Sequence, residues 1–536
     1  MGIIDFIKDI IRPGNGVDYP KAGDMVTVHY HGYLYDPTRS WNRGRRFDSS
    51  IKRGIPFTFQ IGMGTVIKGW EVGILGMSLG EKALLTFGPV VITDMVHGSP
   101  NVVKMRFSRG KQSVSNNNSF AVPMGNYIPV GIYYVNASIG TPKQVVNLQL
   151  DTGSSDVWAF GVHSCDTTTS YCLGGAYNPN QSSTATVISE GGFEISYVTQ
   201  GSGVIGNWVK DDFSVGNITI TGLSLGVATQ AAGVPTGIMG IGFSADESNS
   251  TLYPNFVDQM VAQGLTKSRS YSLWLDDLDN STGSVLFGGY DSDKYINELV
   301  AVPMQPNASG IFSQFAVTWT SLSFTDANGN QTTLSGQDFR EYAILDSGTT
   351  RVLVPDDIYT QIASAAGVQD NGRVDCALST AAGTFNFGFG GPTGAAIPVP
   401  VHEFVLPVIF PNGTRLTDQN GTEVCIFGME AQNNRPLLLG DTMLRAAYVV
   451  YNLDEKWIAM APTNFNSTTS NITEIIPSSS LPAGWSSAPN ISVSQTATGS
   501  FTSGGSVPAT ASGSVTSGFS TPVTASTGAI GFTTAI

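Results

Sequence analysis

The sequence predicts a mainly β protein, and three observations favour that class. Between residues 126 and 463, short apolar runs alternate with Gly, Asn, Asp and Ser, which is typical of short strands joined by turns. Residues 1–90 show a similar alternation of strand-like segments and glycine turns. The chain contains 62 glycines and only 13% charged residues, which excludes a coiled coil and a wholly disordered chain.

Two regions of opposite charge divide the chain, whose 536 residues suggest three or four domains. Residues 1–112 contain 15 Lys and Arg against 9 Asp and Glu, whereas the remaining residues contain 12 against 32. The acidic majority argues against nucleic acid as the main partner and suits a protein that works in acid. No run of ~18 apolar residues occurs, so we expect no transmembrane segment. Acids within the first nine residues argue against a signal peptide there.

The N-terminal region combines predicted strands at residues 25–30, 57–62 and 82–87 with a short helix at 66–73. Its motifs include Val28-His29-Tyr30-His31-Gly32, Phe47-Asp48-Ser49-Ser50, Pro56-Phe57-Thr58-Phe59, Val66-Ile67-Lys68-Gly69-Trp70 and Met77-Ser78-Leu79-Gly80-Glu81-Lys82. On these motifs the region resembles the FK506-binding class of peptidyl-prolyl isomerases.

That resemblance implies an apolar, aromatic cup that desolvates an X–Pro amide and eases rotation about it. The residues expected to line it are Tyr30, Phe47, Asp48, Phe57, Val66, Ile67 and Trp70. The match stops at Gly88-Pro89, and we expect that residues 90–96 do not supply the family's last central strand. We therefore predict a partial domain, residues 1–90, that folds poorly and isomerises weakly or not at all.

Residues 91–125 do not continue the strand pattern and are predicted to form a linker. Residues 102–107 could form one strand, and Arg109, Lys111 and the run Asn116-Asn117-Asn118 then predict an exposed, cleavable segment.

A short motif occurs twice in the β-rich region, as Asp151-Thr152-Gly153-Ser154 and Asp346-Ser347-Gly348-Thr349. Each Asp follows an apolar run, so each is expected where a buried strand ends in a glycine turn. Two carboxylates held close together cannot easily both ionise, and their titrations separate. One can then act as base toward water while the other, protonated, polarises a carbonyl.

An apolar run that ends in Gly follows each motif, as Gly237-Ile238-Met239-Gly240 and as Leu437-Leu438-Leu439-Gly440-Asp441, which indicates an internal duplication. With these features, residues 127–464 resemble the pepsin-like aspartic proteases of family A1, most closely the fungal secreted type. Further matches are Ile139-Gly140-Thr141-Pro142, Ser155-Asp156-Val157-Trp158 and Gly283-Ser284-Val285-Leu286-Phe287-Gly288-Gly289.

The resemblance implies two β lobes, at residues 126–310 and 311–463, with a cleft between them. It implies that Asp151 and Asp346 are catalytic and that Thr152, Gly153, Ser154, Ser347, Gly348 and Thr349 support their loops. It also implies a flap over the substrate with Tyr197 paired to Trp158. Gln200 stands where the family has Gly, so we expect a flap one residue longer. Residues 102–109 then read as the remnant of a propeptide.

Four cysteines, all after residue 164, lack the spacing of a zinc site, so we predict two disulfides and no metal. Three connectivities are possible, and the pairs Cys165–Cys172 and Cys376–Cys425 close the shortest loops. Thirteen Asn-X-Ser/Thr sequons, all after residue 112, indicate a secreted glycoprotein. Of the last 59 residues 25 are Ser or Thr, which predicts a disordered tail over residues 464–536.

The sequence thus predicts an aspartic endopeptidase that cuts polypeptides in acid, fused to an isomerase fragment. We expect an extracellular or cell-wall monomer that needs no cofactor and is blocked by pepstatin-type inhibitors. Two alternatives stay open, namely prolyl isomerisation as the main activity and a non-catalytic cell-wall protein.

Overall fold

The computed structural model forms two compact units, Met1–Asn116 and Asn117–Ile536, and confirms the mainly β class. It describes residues 6–21, 24–35, 43–50, 57–61, 66, 68–87, 90–97, 120–127, 131–164, 172–197, 202–249, 251–278, 282–409, 414–477, 480–493 and 533–534. Within these residues, no helix is both long and apolar enough to cross a bilayer.

The first unit is one antiparallel sheet with a short helix beside it. The elements are β1 (Phe6–Arg12), β2 (Met25–Tyr35), β3 (Arg43–Ser49), β4 (Phe57–Gln60), α1 (Lys68–Leu75), β5 (Lys82–Phe87) and β6 (Val90–His97). The described strands lie in the order β1-β5-β6-β2-β3, with β4 paired to the start of β2. Alternate residues of β2, such as Val26 and Val28, are buried with Ile61 and Ile74 in the core of this unit.

The expectation that residues 90–96 supply no central strand is wrong. The backbone of β6 pairs antiparallel with β2 on one side and with β5 on the other, which places it inside the sheet. Only two residues of sequence separate the end of β5 from the start of β6. The run Val90-Val91-Ile92-Thr93 has the β-branched composition that a central strand favours.

The second unit contains the duplicated Asp motifs. Its strands before residue 304 are β7 (Phe120–Tyr127), β8 (Ile132–Ile139), β9 (Gln144–Asp151), β10 (Val157–Gly161), β11 (Ala176–Tyr177), β12 (Thr186–Ser196), β13 (Gly203–Val215), β14 (Ile218–Ala232), β15 (Gly237–Gly240), β16 (Ser270–Trp274), β17 (Thr282–Phe287), β18 (Gly289–Asp291) and β19 (Val300–Pro303).

The later strands are β20 (Ala316–Asp326), β21 (Gln331–Thr333), β22 (Glu341–Leu345), β23 (Val352–Val354), β24 (Arg373–Val374), β25 (Ala381–Phe389), β26 (Ala395–Pro400), β27 (Val405–Pro407), β28 (Cys425–Phe427), β29 (Met429–Ala431), β30 (Leu437–Leu439), β31 (Ala447–Asn452), β32 (Trp457–Pro462), β33 (Ile472–Glu474), β34 (Ser486–Ser487) and β35 (Thr533–Thr534). The α-helices of this unit are α2 (Phe256–Ala262), α3 (Asp356–Ala366) and α4 (Asp441–Leu444), and 3-10 helices cover Pro179–Gln181, Ser244–Asp246, Ser292–Lys294, Cys376–Thr380 and Val401–Phe404. Residues 255–263 and 356–366, whose patterns predict two of the few helices expected in this region, contain α2 and α3.

Two sheets carry the Asp motifs with the same local topology. In the first, β9 pairs parallel with β15, and β15 pairs antiparallel with β10. In the second, β22 pairs parallel with β30, and β30 pairs antiparallel with β23. Each Asp therefore stands at the end of a strand whose neighbour comes from an apolar run ending in Gly. This repeat is the structural form of the predicted duplication.

Residues 464–477 and 480–493, which we name the C-terminal strap, differ from the expected disordered tail. Within the strap, β33 pairs with β18, and β34 pairs with β19. Ile475 and Ala488 are buried, and the Trp485 ring lies 4.9 Å from that of Tyr290. These apolar side chains anchor a segment whose composition is otherwise polar. Of the residues after 493, the structure describes only Thr533 and Thr534, which pair with β25.

The disulfides lie on the second unit. Cys376 and Cys425 are bonded to each other and tie the 3-10 helix Cys376–Thr380 to β28. Cys172 is also disulfide-bonded. Its predicted partner, Cys165, lies outside the described residues.

Candidate active site

Asp151 and Asp346 occupy equivalent places in the two sheets. Asp151 is the last residue of β9, and Asp346 directly follows β22. Both are buried, with 6% and 8% of their surfaces exposed.

Each carboxylate is oriented by its own motif. The Gly153 N–H donates to Asp151 Oδ1 at 2.7 Å, and the Ser154 hydroxyl donates to Oδ2. In the other loop, the Gly348 N–H donates to Asp346 Oδ1 at 2.8 Å, and Thr349 Oγ1 donates to Oδ2 at 2.7 Å. These donors explain why Gly and a hydroxyl residue follow both Asp residues.

The two loops are also bonded to each other, through Thr152 and Ser347. Thr152 Oγ1 donates to the Leu345 carbonyl at 3.0 Å and accepts from the Ser347 N–H at 2.9 Å. Ser347 Oγ donates to the Leu150 carbonyl at 2.9 Å and accepts from the Thr152 N–H at 3.1 Å. This symmetric exchange fixes the distance between the two Asp backbones.

The glycine of each motif packs against the carboxylate of the other. A Cβ atom added to Gly153 would lie 2.4 Å from Asp346 Oδ1, and one added to Gly348 would lie 2.3 Å from Asp151 Oδ1. Both separations are shorter than any van der Waals contact, so only glycine fits. The carboxyls are consequently close. Burial raises the pKa of Asp151, and the charge and hydrogen bond of Asp346 raise it further.

The aromatic pair predicted for the flap lies beside this centre. Tyr197 follows β12, and Trp158 Nε1 donates to its hydroxyl at 2.8 Å. Burial raises the pKa of Tyr197 well above its ordinary value, so the phenol stays neutral. A cavity of ≈ 410 Å³ is lined by Tyr197 and by the adjoining ends of β12, β13 and β14. The hairpin tip that contains Gln200 lies outside the described residues.

Asp441 is a site residue that sequence reasoning missed. It opens α4, is 1% exposed, and its N–H donates to the Thr349 carbonyl at 2.9 Å. Neither of its carboxyl oxygens has a hydrogen-bond partner among the described residues. Burial raises its pKa, Arg445 opposes the increase, and the charges of Asp346 and Asp151 add to it. A third buried acid, whose pKa is raised, thus interacts electrostatically with the pair.

In the first unit, three of the predicted pocket aromatics form one cluster. The Tyr30 ring lies 4.8 Å from that of Trp70 and 6.1 Å from that of Phe57, and Phe57 and Trp70 are 5.4 Å apart. Val66 packs against this cluster, and Phe59, which was not predicted, stacks on Phe57.

The other predicted pocket residues are only partly visible. Phe47 and Asp48 belong to β3 by their backbones, but their side chains lie outside the described part of the chain, as does Ile67.

Two family models match the chain. The model described as eukaryotic aspartyl protease covers residues 132–463, and that described as FKBP-type peptidyl-prolyl cis-trans isomerase covers residues 16–91. The first spans more than half of the chain and contains both Asp motifs.

Curated relatives of the protease region come from fungi. A probable aspartic-type endopeptidase opsB of Aspergillus fumigatus is 35% identical over 357 residues, which are 64% of this chain and 71% of that protein. An acid protease of Saccharomycopsis fibuligera is 33% identical and covers 62% of this chain and 81% of its own length. Secreted aspartic protease 8 of Candida albicans is 30% identical, with 63% and 77% covered.

Among solved structures, the crystal structure of an aspartic proteinase from Irpex lacteus matches with a TM-score of 0.51. The match covers 66% of this chain and 100% of that protein at 22% identity, and it therefore supports the fold alone.

Proposed function

Because the chain belongs to the eukaryotic aspartyl protease family, we propose that Asp151 and Asp346 are its catalytic pair and hydrolyse peptide bonds in acid. One observation carries this proposal. The glycine of each motif lies against the opposite carboxylate, and this arrangement places two buried acids side by side at strand ends. Polypeptides are the substrates, as the endopeptidase names of the relatives indicate.

The chemistry follows from a proton that the two carboxyls share. Burial and mutual repulsion disfavour the doubly ionised pair, so one acid keeps its proton while the other is a carboxylate. The carboxylate takes a proton from water as the water oxygen bonds to the scissile carbonyl carbon, while the protonated acid donates a hydrogen bond to the carbonyl oxygen. When the C–N bond then breaks, the proton taken from water passes to the leaving nitrogen. No step requires a metal or an organic cofactor.

The pH dependence follows from the same pair. At low pH the carboxylate takes up a second proton, and the base is lost. At high pH the pair loses its shared proton, and the acid is lost. Activity therefore needs the singly protonated pair, whose upper limit is extended by the raised pKa of Asp151.

Substitution of either acid tests the proposal. Asp151→Asn and Asp346→Asn should each abolish cleavage of an unfolded protein across the acid range while the thermal unfolding midpoint stays near that of the wild type. Asp357→Asn, an exposed acid on α3, is the matched control and should retain full activity. Wild-type activity in either dyad variant would refute the assignment, and a wild-type chain that cleaves nothing would favour the non-catalytic alternative.

The relatives also suggest where and how the enzyme works. The printed name of the Candida albicans relative includes "secreted", from which we infer an extracellular or cell-wall location. We further expect inhibition by pepstatin-type inhibitors and a monomeric protease in size-exclusion chromatography.

A second candidate function concerns the first unit. Prolyl isomerisation is favoured by the aromatic cluster around Trp70, which is 5% exposed and makes ring contacts with Tyr30 and Phe57. A proline-peptide isomerisation assay on the Asp346→Asn full chain, which removes competing proteolysis, tests it. Activity that Trp70→Leu lowers at least about 10-fold supports the pocket, and no activity above the uncatalysed rate opposes it.

A further inference from the structure

The end of the C-terminal strap, residues 490–493, packs on the sheet that carries Asp346. Val493 is half-buried and lies against a cluster of buried side chains from β20, β22, β23 and β30. The members of this cluster are Ala316, Tyr342, Ile344, Leu353 and Leu438. The strap follows residue 463, where the match to the aspartyl protease model ends, so Val493 stands outside the matched part of the chain.

This cluster lies on the face of the sheet from which the Asp346 side chain projects. Successive side chains of a strand point to opposite faces, so Ile344 shares a face with Asp346, two residues later. The intervening Leu345 and the preceding Ala343 point to the other face, where they belong to the main core. The Asp346 N–H donates to the Leu439 carbonyl at 3.1 Å, so the ladder of β22 continues to the acid and the alternation holds there.

The same face is turned toward the other Asp motif. Gln149 stands two residues before the first acid and is the counterpart of Ile344 in the duplicated sheet. Its Nε2 donates to the Gly348 carbonyl at 3.0 Å, so a side chain at this place reaches across to the opposite loop. Burial raises the pKa of Tyr342 to about 12, and the charge of Asp246, which follows β15, adds to this increase. The face therefore borders the space in which a substrate must reach both acids.

Three hydrogen bonds hold the end of the strap in this place. Thr318 Oγ1 donates to the Ile491 carbonyl. The side chain of Gln305, a residue that is 3% exposed, donates from Nε2 to Asn490 Oδ1 at 3.2 Å. Its Oε1 accepts from the Val493 N–H at 3.3 Å. Because buried polar groups keep their hydrogen-bond partners, these contacts fix the position of Val493 on the cluster.

We propose that Val493 forms part of the substrate-binding cleft beside Asp346 and helps to select the substrate side chain that binds there. This inference rests on the proposed endopeptidase function. In a strand, residues two apart are separated by about 7 Å, so the Val493 cluster begins about that far from Asp346. An extended substrate rises by about 3.3 Å per residue, and a side chain close to the scissile bond therefore meets Val493. The exposed half of this apolar side chain favours an apolar partner and disfavours a charged one.

Cleavage of a peptide library by the full chain at about pH 5.5 tests the proposal, because a glutamate side chain is ionised at that pH. Each position on either side of the scissile bond is varied in turn among Leu, Ala, Glu and Lys. At one position or two adjacent positions, Val493→Lys should raise the kcat/KM ratio of the Glu peptide to the Lys peptide at least about 10-fold. Ser487→Lys adds the same charge at an exposed residue of the strap and should keep the wild-type ratios.

A second variant covers the case in which Val493→Lys does not fold. Val493→Ala removes only two methyl groups and should lower the preference for Leu over Ala at the same substrate position. An active Val493→Lys variant with wild-type ratios at every position would overturn the inference, as would a wild-type preference for Leu in Val493→Ala. Both results leave the proposed function standing. A wild type that cleaves no peptide would instead overturn the proposed function, and this inference with it.

Discussion

Substitution of Gly348 by alanine should disable the enzyme without disturbing the fold. The added Cβ would lie 2.3 Å from Asp151 Oδ1, whereas ordinary contacts begin at 3.4 Å. The carboxylate or the loop must therefore move by about 1.1 Å, the difference of these two distances. A displacement of roughly 1 Å in a reacting group can cost about 100-fold in rate, so we expect kcat/KM to fall by about two orders of magnitude.

The assay is cleavage of a quenched fluorescent peptide in acid, with the thermal unfolding midpoint measured in parallel. Gly336→Ala is the matched control, because a Cβ at Gly336 meets nothing within 4 Å and its backbone is not left-handed. We expect this control to match the wild type in both measurements. A folded Gly348→Ala variant with more than half of wild-type kcat/KM would show that the two loops are not as tightly packed as the structure has them.

Two further predictions concern stability. The pKa of Asp441 is higher in the folded protein than in the unfolded chain. At a pH between these two pKa values the folded state binds more protons than the unfolded state, so the free energy of unfolding falls as the pH rises. The side chain of Asp441→Asn cannot ionise, so the thermal unfolding midpoint of this variant should fall less between about pH 4 and pH 7 than that of the wild type. Identical pH profiles would contradict this prediction. In the C-terminal strap, Trp485 is half-buried against Tyr290 and Trp457, so Trp485→Ala should lower the free energy of unfolding by about 2 kcal/mol. The exposed Ile476→Ala is its control, and equal denaturation midpoints for the two variants would contradict a packed strap.

The Asp pair could be predicted from sequence because its signal is local and repeated. Four consecutive residues carry the acid, the glycine and the hydroxyl donor, and the structure shows each of these in contact with Asp151 or Asp346. The helix at Asp356–Ala366 was equally accessible, because its apolar spacing and its terminal Gly367, with φ 68°, are also local.

The features that sequence reasoning missed depend on contacts between distant segments. From sequence, Asp441 is interpreted as the end of an apolar run that packs beneath the motif loops. The pairing of β30 with β22 brings it beside Thr349 in the structure. From sequence the strap is predicted to be a polar tail, because two buried apolar residues and the half-buried Trp485 carry little weight among so many Ser and Thr.

The loops of Asp151 and Asp346 have similar backbone hydrogen bonds but different charged neighbours. This difference gives the two acids unequal surroundings, and hence a basis for unequal roles. Five residues after Asp151 stands the buried Asp156, which accepts a hydrogen bond from the Ser248 N–H at 2.9 Å. Five residues after Asp346 stands Arg351, a cation paired with Glu430. Likewise, the run that ends at Gly240 continues with Ile241, whereas the run that ends at Gly440 continues with Asp441. Because the hydrogen bonds to the two carboxylates are otherwise matched, and because the charges of Asp346 and Asp151 both act on Asp441, the unmatched Asp441 is an asymmetry that bears on where the shared proton lies.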